Sequence, residues 1–353
     1  MTSAYKIPDD THYMPVDPEI TSQPDRRIPE MVLPIPGIVL PLCRAAAGTL
    51  LYQKSKAMKI VVTGSLGHIS RPLAQELIQK GHAVTVVTSK AERKPGIEKL
   101  GATAVVGKAE DADFITAAFT GADLVYTMIP PGSMMDPNYD IYAKVRTLMA
   151  SYRKAIAAAG IKRVIHLSSI GAHMDKGNGL LRLHHIAETT LKQLPADVHL
   201  TFMRPTGFYY NLLAYIPMIK QQGLIAANFG QDDHCIWVAP ADIATAIVEE
   251  IEHPSKESPS IRYVASDELT CSETAHILGE AIGKPDLQWV KIPGQQMLDA
   301  LVARGMSQAI AEGMVEMYAN RNLYEDYFKH RPVLGKTKLT QFAKDFAAVY
   351  HQQ

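Results

Sequence analysis

The residues best placed to do chemistry in this chain run from Thr63 to Ser70, in the order Thr63-Gly64-Ser65-Leu66-Gly67-His68-Ile69-Ser70. Gly64 can make a tight turn, and Gly67 can let an anion approach the backbone, because neither carries a side chain. The segment follows a short apolar run at residues 59–63 and precedes a helical stripe of Ile69, Leu73, Leu77 and Ile78 that stops at Gly81. A helix begun this way presents unpaired backbone N–H groups and the positive end of its dipole, which suits a pyrophosphate. The third small position of a dinucleotide-binding turn lets helix and strand pack closely, and here it is Ser70 rather than glycine. A glycine turn with no ligand would use the same residues, but a strand before it and a helix after it favour a dinucleotide. Thr63, Gly64, Leu66, Gly67, His68 and Ile69 are therefore expected to line a cofactor.

The end of the next apolar run decides which dinucleotide. An NAD site places an Asp or Glu there to accept from the ribose hydroxyls. This chain reads Val86-Val87-Thr88-Ser89-Lys90-Ala91-Glu92-Arg93-Lys94, with no acid ending the strand and three cations close behind. Ser89, Lys90 and Arg93 could hold a 2′-phosphate by charge-assisted hydrogen bonds. The alternative is a solvated helix start. The expected cofactor is NADP(H), with NAD(H) less favoured.

The elements that must position these residues follow from periodicity. Apolar runs at 59–63, 83–88, 104–106, 124–128, 163–168 and 199–203 alternate with helical stretches near 69–80, 114–119, 139–159 and 183–194. Such alternation implies right-handed crossovers and an α/β, doubly wound parallel sheet, Rossmann-like, followed by a small C-terminal α/β substrate lobe. The expected division is a sheet domain over about 58–205 and a part over about 206–353 that is mainly the C-terminal lobe. Residues 1–57 differ in kind. Prolines recur from Pro8 to Pro41, so neither a long helix nor a central strand can form. The expectation there is a flexible extension, with an arm that packs on the domain or on a second subunit as the alternative, or a chain that starts at Met58.

With 36 basic and 36 acidic residues, the chain carries no charge footprint for nucleic acid or an anionic membrane. Cys43, Cys235 and Cys271 are far apart in sequence and show neither metal-ligand spacing nor a disulfide framework, which fits the cytoplasm. The partners expected are a small-molecule substrate and either a second copy in a homodimer or a regulatory protein.

Beyond the glycine turn, further motifs accumulate: Gly107, Gly121-Ala122-Asp123, Leu167-Ser168-Ser169, Thr201-Phe202-Met203-Arg204-Pro205 with Phe208 and Asn211, Asp242-Ile243-Ala244, and segments at 279–284 and 305–316. Together they resemble the NmrA-like atypical short-chain dehydrogenases/reductases over residues 58–350. The resemblance implies NAD(P) bound on the sheet under a small C-terminal lobe. Some such proteins are reductases of quinones or related carbonyls, and others are regulators that bind dinucleotide without known catalysis.

Ordinary members of the wider superfamily use Tyr-x-x-x-Lys on the helix after the fifth strand, with a serine from that strand's end. Counting back from Glu188, which matches the family's helix glutamate, places His184 where the lysine would be and Leu180 where the tyrosine would be. Ser168 remains and is expected beside the cofactor. His184 is expected to position the nicotinamide ribose; a zinc site with Glu188 would need a third ligand, and a helix-surface pair is the plain alternative. In the loop after the fourth run, Ile129 and Pro130 would pass the nicotinamide. Met134, with Phe208, Tyr209, Tyr210 and Asn211 across from it, would wall the substrate pocket. In the last third, Thr270-Cys271-Ser272-Glu273 reads as a capping box and Asp242 as a helix cap. The function expected is hydride transfer to a small quinone or carbonyl compound. The rival is a non-catalytic NAD(P)-binding redox sensor acting through a protein partner, and the missing dyad argues against a sugar-nucleotide epimerase.

Overall fold

The structure, a computed structural model, describes residues 56–352 other than Met134 and Pro137. The expectations for the extension before residue 56, and for Met134, lie outside the described residues. The alternation legible in the sequence is realised as β1 (Lys59–Val62), α1 (Ser70–Gln79), β2 (Ala83–Thr88), α2 (Lys94–Lys99), β3 (Thr103–Val106), α3 (Ala112–Phe119), β4 (Leu124–Met128), α4 (Ile141–Ala158), β5 (Arg163–Leu167), α5 (Arg182–Leu191) and β6 (His199–Pro205). These strands pair in parallel and read as near-continuous apolar runs because both faces of the sheet are covered. Ile60, Val62, Val84, Val86, Tyr126, Ile165 and Met203 bury on one face. Val61, Val125, Val164, Leu200 and Phe202 bury on the other, with Leu148, Tyr152 and Ile156 of α4 and Leu183 and Ala187 of α5.

The chain continues through β7 (Gly207–Phe208), α6 (Ile216–Gln222), β8 (Leu224–Ala227), β9 (His234–Val238), α7 (Pro240–Glu252), β10 (Ser260–Val264), β11 (Asp267–Thr270), α8 (Cys271–Ala281), β12 (Gln288–Lys291), α9 (Gly294–Ala303), α10 (Gln308–Ala319), α11 (Glu325–Lys329) and α12 (Leu339–Gln352). The part after residue 205 is not all lobe. β10 adds to β6 in parallel, giving a seven-stranded sheet in the order β10-β6-β5-β4-β1-β2-β3. α7 packs along α1 and sends Ile243, Ile247 and Ile251 into the sheet core. The lobe proper is made by the small sheets β11-β9-β7 and β12-β8 with α8 and α12, around Trp237, Trp289, Leu278 and Phe346.

Two local expectations meet different outcomes. The capping box forms: Thr270 Oγ1 accepts from the Glu273 N–H, and the Glu273 carboxylate accepts from the Thr270 N–H. Asp242 does not cap α7, whose N-cap is Ala239. Pro240 already fits the first helical turn, so the acid is free for a longer-range task. Asp242 accepts from Ser266 Oγ at 2.6 Å and from the Thr337 N–H at 3.0 Å, pinning the segment before α12. Cys235 and Cys271, distant in sequence, meet in the lobe core as free thiols with their sulfurs 2.7 Å apart. Among the described residues no helix is long and apolar enough to cross a membrane.

Candidate cofactor and substrate site

The strand order reverses between β1 and β4, so the chain leaves these neighbours in opposite directions and opens a crevice at their carboxyl ends. The glycine turn sits there. Gly64 has φ +88°, and a Cβ on it would fall 2.1 Å from Met128 Sδ at the end of β4, so both conformation and space require glycine. Ser65 also has positive φ, at 59°, and its N–H donates to Val87 O at 2.9 Å, tying the turn to the end of β2. Ser70 explains itself: its buried hydroxyl donates back to Thr63 O at 3.3 Å, sewing helix to strand where a glycine would merely fit. Gly67 is exposed, and a Cβ there would meet nothing nearer than Gly64 O at 3.8 Å.

No side chain caps α1; in its first turn the Arg71 N–H donates to Gly67 O at 3.0 Å and Pro72 has no N–H, so the Ser70 N–H is the first-turn amide left to meet a ligand. Ser65 Oγ is buried with no protein partner. An uncapped helix start at Ser70, an open approach at Gly67 and an orphaned hydroxyl fit a pyrophosphate. Leu66 is half-buried against the sheet core, and Ile69 is buried in it, so Ile69 can offer a ligand its backbone only.

Ser89 and Lys90 are exposed just past β2, and Arg93 is half-buried on the turn that follows. Lys94 pairs with Glu98 at 3.7 Å on α2. The acid of an NAD site is missing from the end of β2, as the sequence reads. Replacing Lys90 and Arg93 together with alanine is expected to weaken NADPH at least about tenfold more than NADH, because only NADPH carries the added phosphate. Calorimetry with both cofactors checks this; equal losses would make these cations bystanders.

Across the sheet, α5 holds Glu188 and His184 in an arrangement sequence spacing did not disclose. Glu188 is 1% exposed. Arg204, at the end of β6 and 2% exposed, donates to it through Nε at 2.9 Å and one terminal nitrogen at 2.7 Å. The other terminal nitrogen donates to Tyr263 Oη and Asp326 Oδ2, both at 3.0 Å. Ser168 Oγ donates to Glu188 Oε1 at 2.6 Å and is itself sealed at 2% exposure. Burial opposes the charge on Glu188, but the bonds and charge of Arg204, with Ser168 and Lys192, outweigh it and hold the carboxyl below its usual range. Ser168 is thus an internal strut of the Glu188–Arg204 pair, not the cofactor contact expected of it.

His184 Nδ1 is buried without a protein partner, in a residue that is half-buried as a whole. Burial pushes its pKa down to about 4, with Glu188 pulling the other way, so the ring is neutral near pH 7. His166, on β5 and fully buried, bonds Thr127 Oγ1 at 2.9 Å. Burial first, then the nearby His184, lower its pKa to about 3. The surface-pair reading of His184 and Glu188 fails on burial. Among the described residues no group of three or more His, Cys, Asp or Glu is arranged to hold a metal. The place of the missing tyrosine is structural: Leu180 is buried under α10, and a Cβ on Gly313 of that helix would come within 2.9 Å of Leu180 Cδ2.

On the remaining wall, Ile129 is half-buried against the α4 side of the core, and Pro130 is exposed beyond it. Phe208 is half-buried, packs against the sheet core as Leu66 and Met128 do, and lies 5.1 Å from the Tyr210 ring. Tyr210 stacks on His68 at 4.6 Å, joining the lobe to the glycine turn. Tyr209 faces away, correcting its place in the pocket: it is 1% exposed, stacks on Phe342, and its hydroxyl donates to Asp267 at 2.7 Å in the lobe core. Asn211 is exposed.

Comparison with known proteins places this arrangement. The profile of the NmrA-like family matches residues 56–344. An NAD(P)H azoreductase of Xenophilus azovorans is 24% identical over 260 residues, 74% of this chain and 86% of that protein. A (4-alkanoyl-5-oxo-2,5-dihydrofuran-3-yl)methyl phosphate reductase of Streptomyces griseus is 26% identical over 227 residues, 64% of this chain and 74% of that one. Among solved structures, the triphenylmethane reductase of Citrobacter sp. in complex with NADP(H) superposes with a TM-score of 0.63 at 18% identity, covering 82% of this chain and 99% of that one. The NADPH-dependent quinone oxidoreductase of Escherichia coli in complex with NADPH gives a TM-score of 0.61 at 18% identity over 81% and 99%. With the profile spanning most of the chain and the seven-stranded sheet beneath it, this protein belongs to the NmrA-like family.

Proposed function

We propose that this chain is an NADP(H)-dependent oxidoreductase of the cytoplasm that transfers hydride to a small quinone or carbonyl compound. The observation that carries the reading is the open, uncapped glycine turn at the sheet's switch point, which fits a dinucleotide pyrophosphate. That curated relatives are named as NAD(P)H-dependent azo and furanone-phosphate reductases supports a reductase over a sugar-nucleotide epimerase, and so does the absence of the Tyr-x-x-x-Lys dyad.

A bound dihydronicotinamide supplies the hydride; the chain supplies place and surroundings. The backbone of the glycine turn, through Gly67 to Ser70 at the start of α1, would hold the pyrophosphate, and Ser89, Lys90 and Arg93 would take the 2′-phosphate. His184 would offer a neutral ring, with its unpartnered Nδ1, to the nicotinamide ribose. Phe208, Tyr210 and His68 form an aromatic wall against which a flat substrate can lie, keeping donor and acceptor carbons near contact. His184→Ala is expected to raise the KM for NADPH several-fold, corresponding to one neutral hydrogen bond of about 0.5–1.5 kcal/mol, and to lower kcat. Steady-state kinetics check this, with chelator leaving wild-type activity unchanged. A wild-type response in the variant would retire His184 from the site.

A second reading is favoured by one feature: the positions that carry proton donors in ordinary relatives are a buried leucine and a serine tied to Glu188. A redox sensor that binds NADPH and reports through a protein partner needs neither. NADPH oxidation across a panel of quinones and aldehydes separates the two. Steady turnover supports the enzyme; tight binding without turnover supports the sensor.

A further inference from the structure

Two thiols that the proposed cofactor site does not use face each other in the lobe. In the antiparallel pairing of β11 with β9, Leu269 stands opposite Cys235 and Thr270 opposite His234. One residue further on, Cys271 opens α8, and its N–H still donates to Asp233 O at 3.0 Å, so the register runs on into the helix start. Residues opposite one another share a face of a sheet, and so do residues two apart on one strand. Cys235, Leu269 and Cys271 therefore point to one side, and the two sulfurs lie 2.7 Å apart. A buried bond of 3.0 Å from Trp237 Nε1 to Thr274 Oγ1 fastens the same strand to the same helix a little further along. Ties on both sides of the pair hold β9 against the start of α8. The sulfurs of a disulfide are about 2.05 Å apart, so bonding asks for less than about 1 Å of closure.

We infer that Cys235 and Cys271 are a disulfide site: thiols at rest, they are closed by a two-electron oxidant such as a peroxide through an opening of the first turn of α8. Cys235 is 3% exposed and Cys271 0%, so neither sulfur is attacked in place. The cover is only one residue deep, since His234, Ser272 and Glu273 are exposed. The Thr270–Glu273 capping box holds that turn, and its opening uncovers Cys271 first. Burial, with Cys271 alongside, pushes the Cys235 thiol up, which leaves Cys271 as the sulfur that meets the peroxide. The Cys271 thiol gives up its proton, its sulfur bonds one peroxide oxygen, and the O–O bond breaks. The departing hydroxide takes the released proton and leaves as water. Cys235 then attacks the same sulfur, the S–O bond breaks, and the hydroxyl leaves with the Cys235 proton as a second water. Two thiols are oxidised to one disulfide, and one peroxide is reduced to two waters. Between the cysteines, 36 positions apart, the chain leaves the lobe to lay α7 along α1 and β10 beside β6. The bond closes that excursion at its mouth and reduces the entropy of the unfolded chain.

The test treats the full-length protein with hydrogen peroxide, blocks the remaining free thiols after unfolding, and maps the cysteines by mass spectrometry of a non-reduced digest. The expected result is a linked peptide pair carrying Cys235 and Cys271, removed by dithiothreitol. The oxidised protein should melt at least about 4 °C above the reduced one. Cys235→Ala and Cys271→Ala should each lose both signals. Glu273→Ala removes half of the capping box and should speed formation of the bond about fivefold by easing the opening. Recovery of both cysteines as blocked thiols or as sulfinic acids would overturn the site, as would a linkage that runs through Cys43 instead. Formation in Glu273→Ala at the parent's rate would overturn the opening of α8 as the route. A melting temperature that oxidation leaves unchanged or lowers would show that the two positions do not fit a disulfide, and would overturn the pairing.

Discussion

Gly67→Val is expected to lower NADPH affinity by more than a hundredfold while leaving the protein folded. The two glycines of the turn separate cleanly on this point. At Gly67 the backbone is in a region any residue adopts, and a Cβ would find only Gly64 O at 3.8 Å, so the protein itself tolerates a side chain. That side chain would stand in the open space through which the pyrophosphate must reach the backbone of the turn and the Ser70 amide at the start of α1. Losing two or more charge-assisted bonds from that backbone costs above about 3 kcal/mol, or a hundredfold. Gly64→Val should behave oppositely. It forces φ +88° on a β-branched residue and drives the new carbon into Met128 Sδ, so the damage is to folding. Calorimetry and thermal melts of the two variants, side by side, check both halves. A Gly67→Val protein that binds NADPH like its parent would mean that the cofactor lies elsewhere.

The same contrast shows what a sequence can disclose. The strands from β1 to β6 were legible almost to the residue, because a parallel strand covered on both faces is an unbroken apolar run and its glycine stops are local. The glycine turn was legible because all its parts lie within eight residues. What escaped depends on contacts between distant segments. β10 (Ser260–Val264) lies outside the apolar runs that the alternation picks out, and its pairing with β6 sends the chain back into the first sheet after a long excursion. Tyr209 and Tyr210 are adjacent and chemically alike. Only the direction in which the tight turn after β7 (Gly207–Phe208) faces them decides that one enters the lobe core and the other stacks on His68. His166 carried no signal, since a lone histidine in a strand has no spacing to test. Arg204 and Glu188 were both in view as motif residues, but Asp326 lies 122 residues beyond Arg204, and nothing in the order of residues announces that the three converge. One signal was available: a strand that keeps an arginine inside an apolar run must bury it against a carboxylate.

Breaking that convergence should give the largest loss of stability. Glu188→Ala leaves a buried guanidinium facing an empty site and is expected to cost about 3–5 kcal/mol. The lower end is favoured because Asp326 and Tyr263 still accept from Arg204. Arg204→Met should cost a similar amount by stranding the Glu188 charge. The double variant Glu188→Leu, Arg204→Met should lose clearly less than the two single losses added, since no charge is then left unpaired. Additive losses in urea melts would show that the pair contributes packing only.

Acid adds an independent handle, and the sign follows from the direction of each shift. His184 and His166 are held neutral, with folded values of about 4 and about 3 against an ordinary 6.5, so their share of stability is complete above pH 6.5 and drains away as pH falls toward those values. Glu188 is held ionised, so its share is complete above its ordinary 4.5 and is lost only as pH drops through its lower folded value. Glu188→Gln should therefore flatten the loss below about pH 4.5 and leave the decline between pH 6.5 and 4.5 in place. Melts of this variant against wild type across that range read the two windows separately. A variant that loses the upper window instead would reassign it from the histidines to the carboxylate.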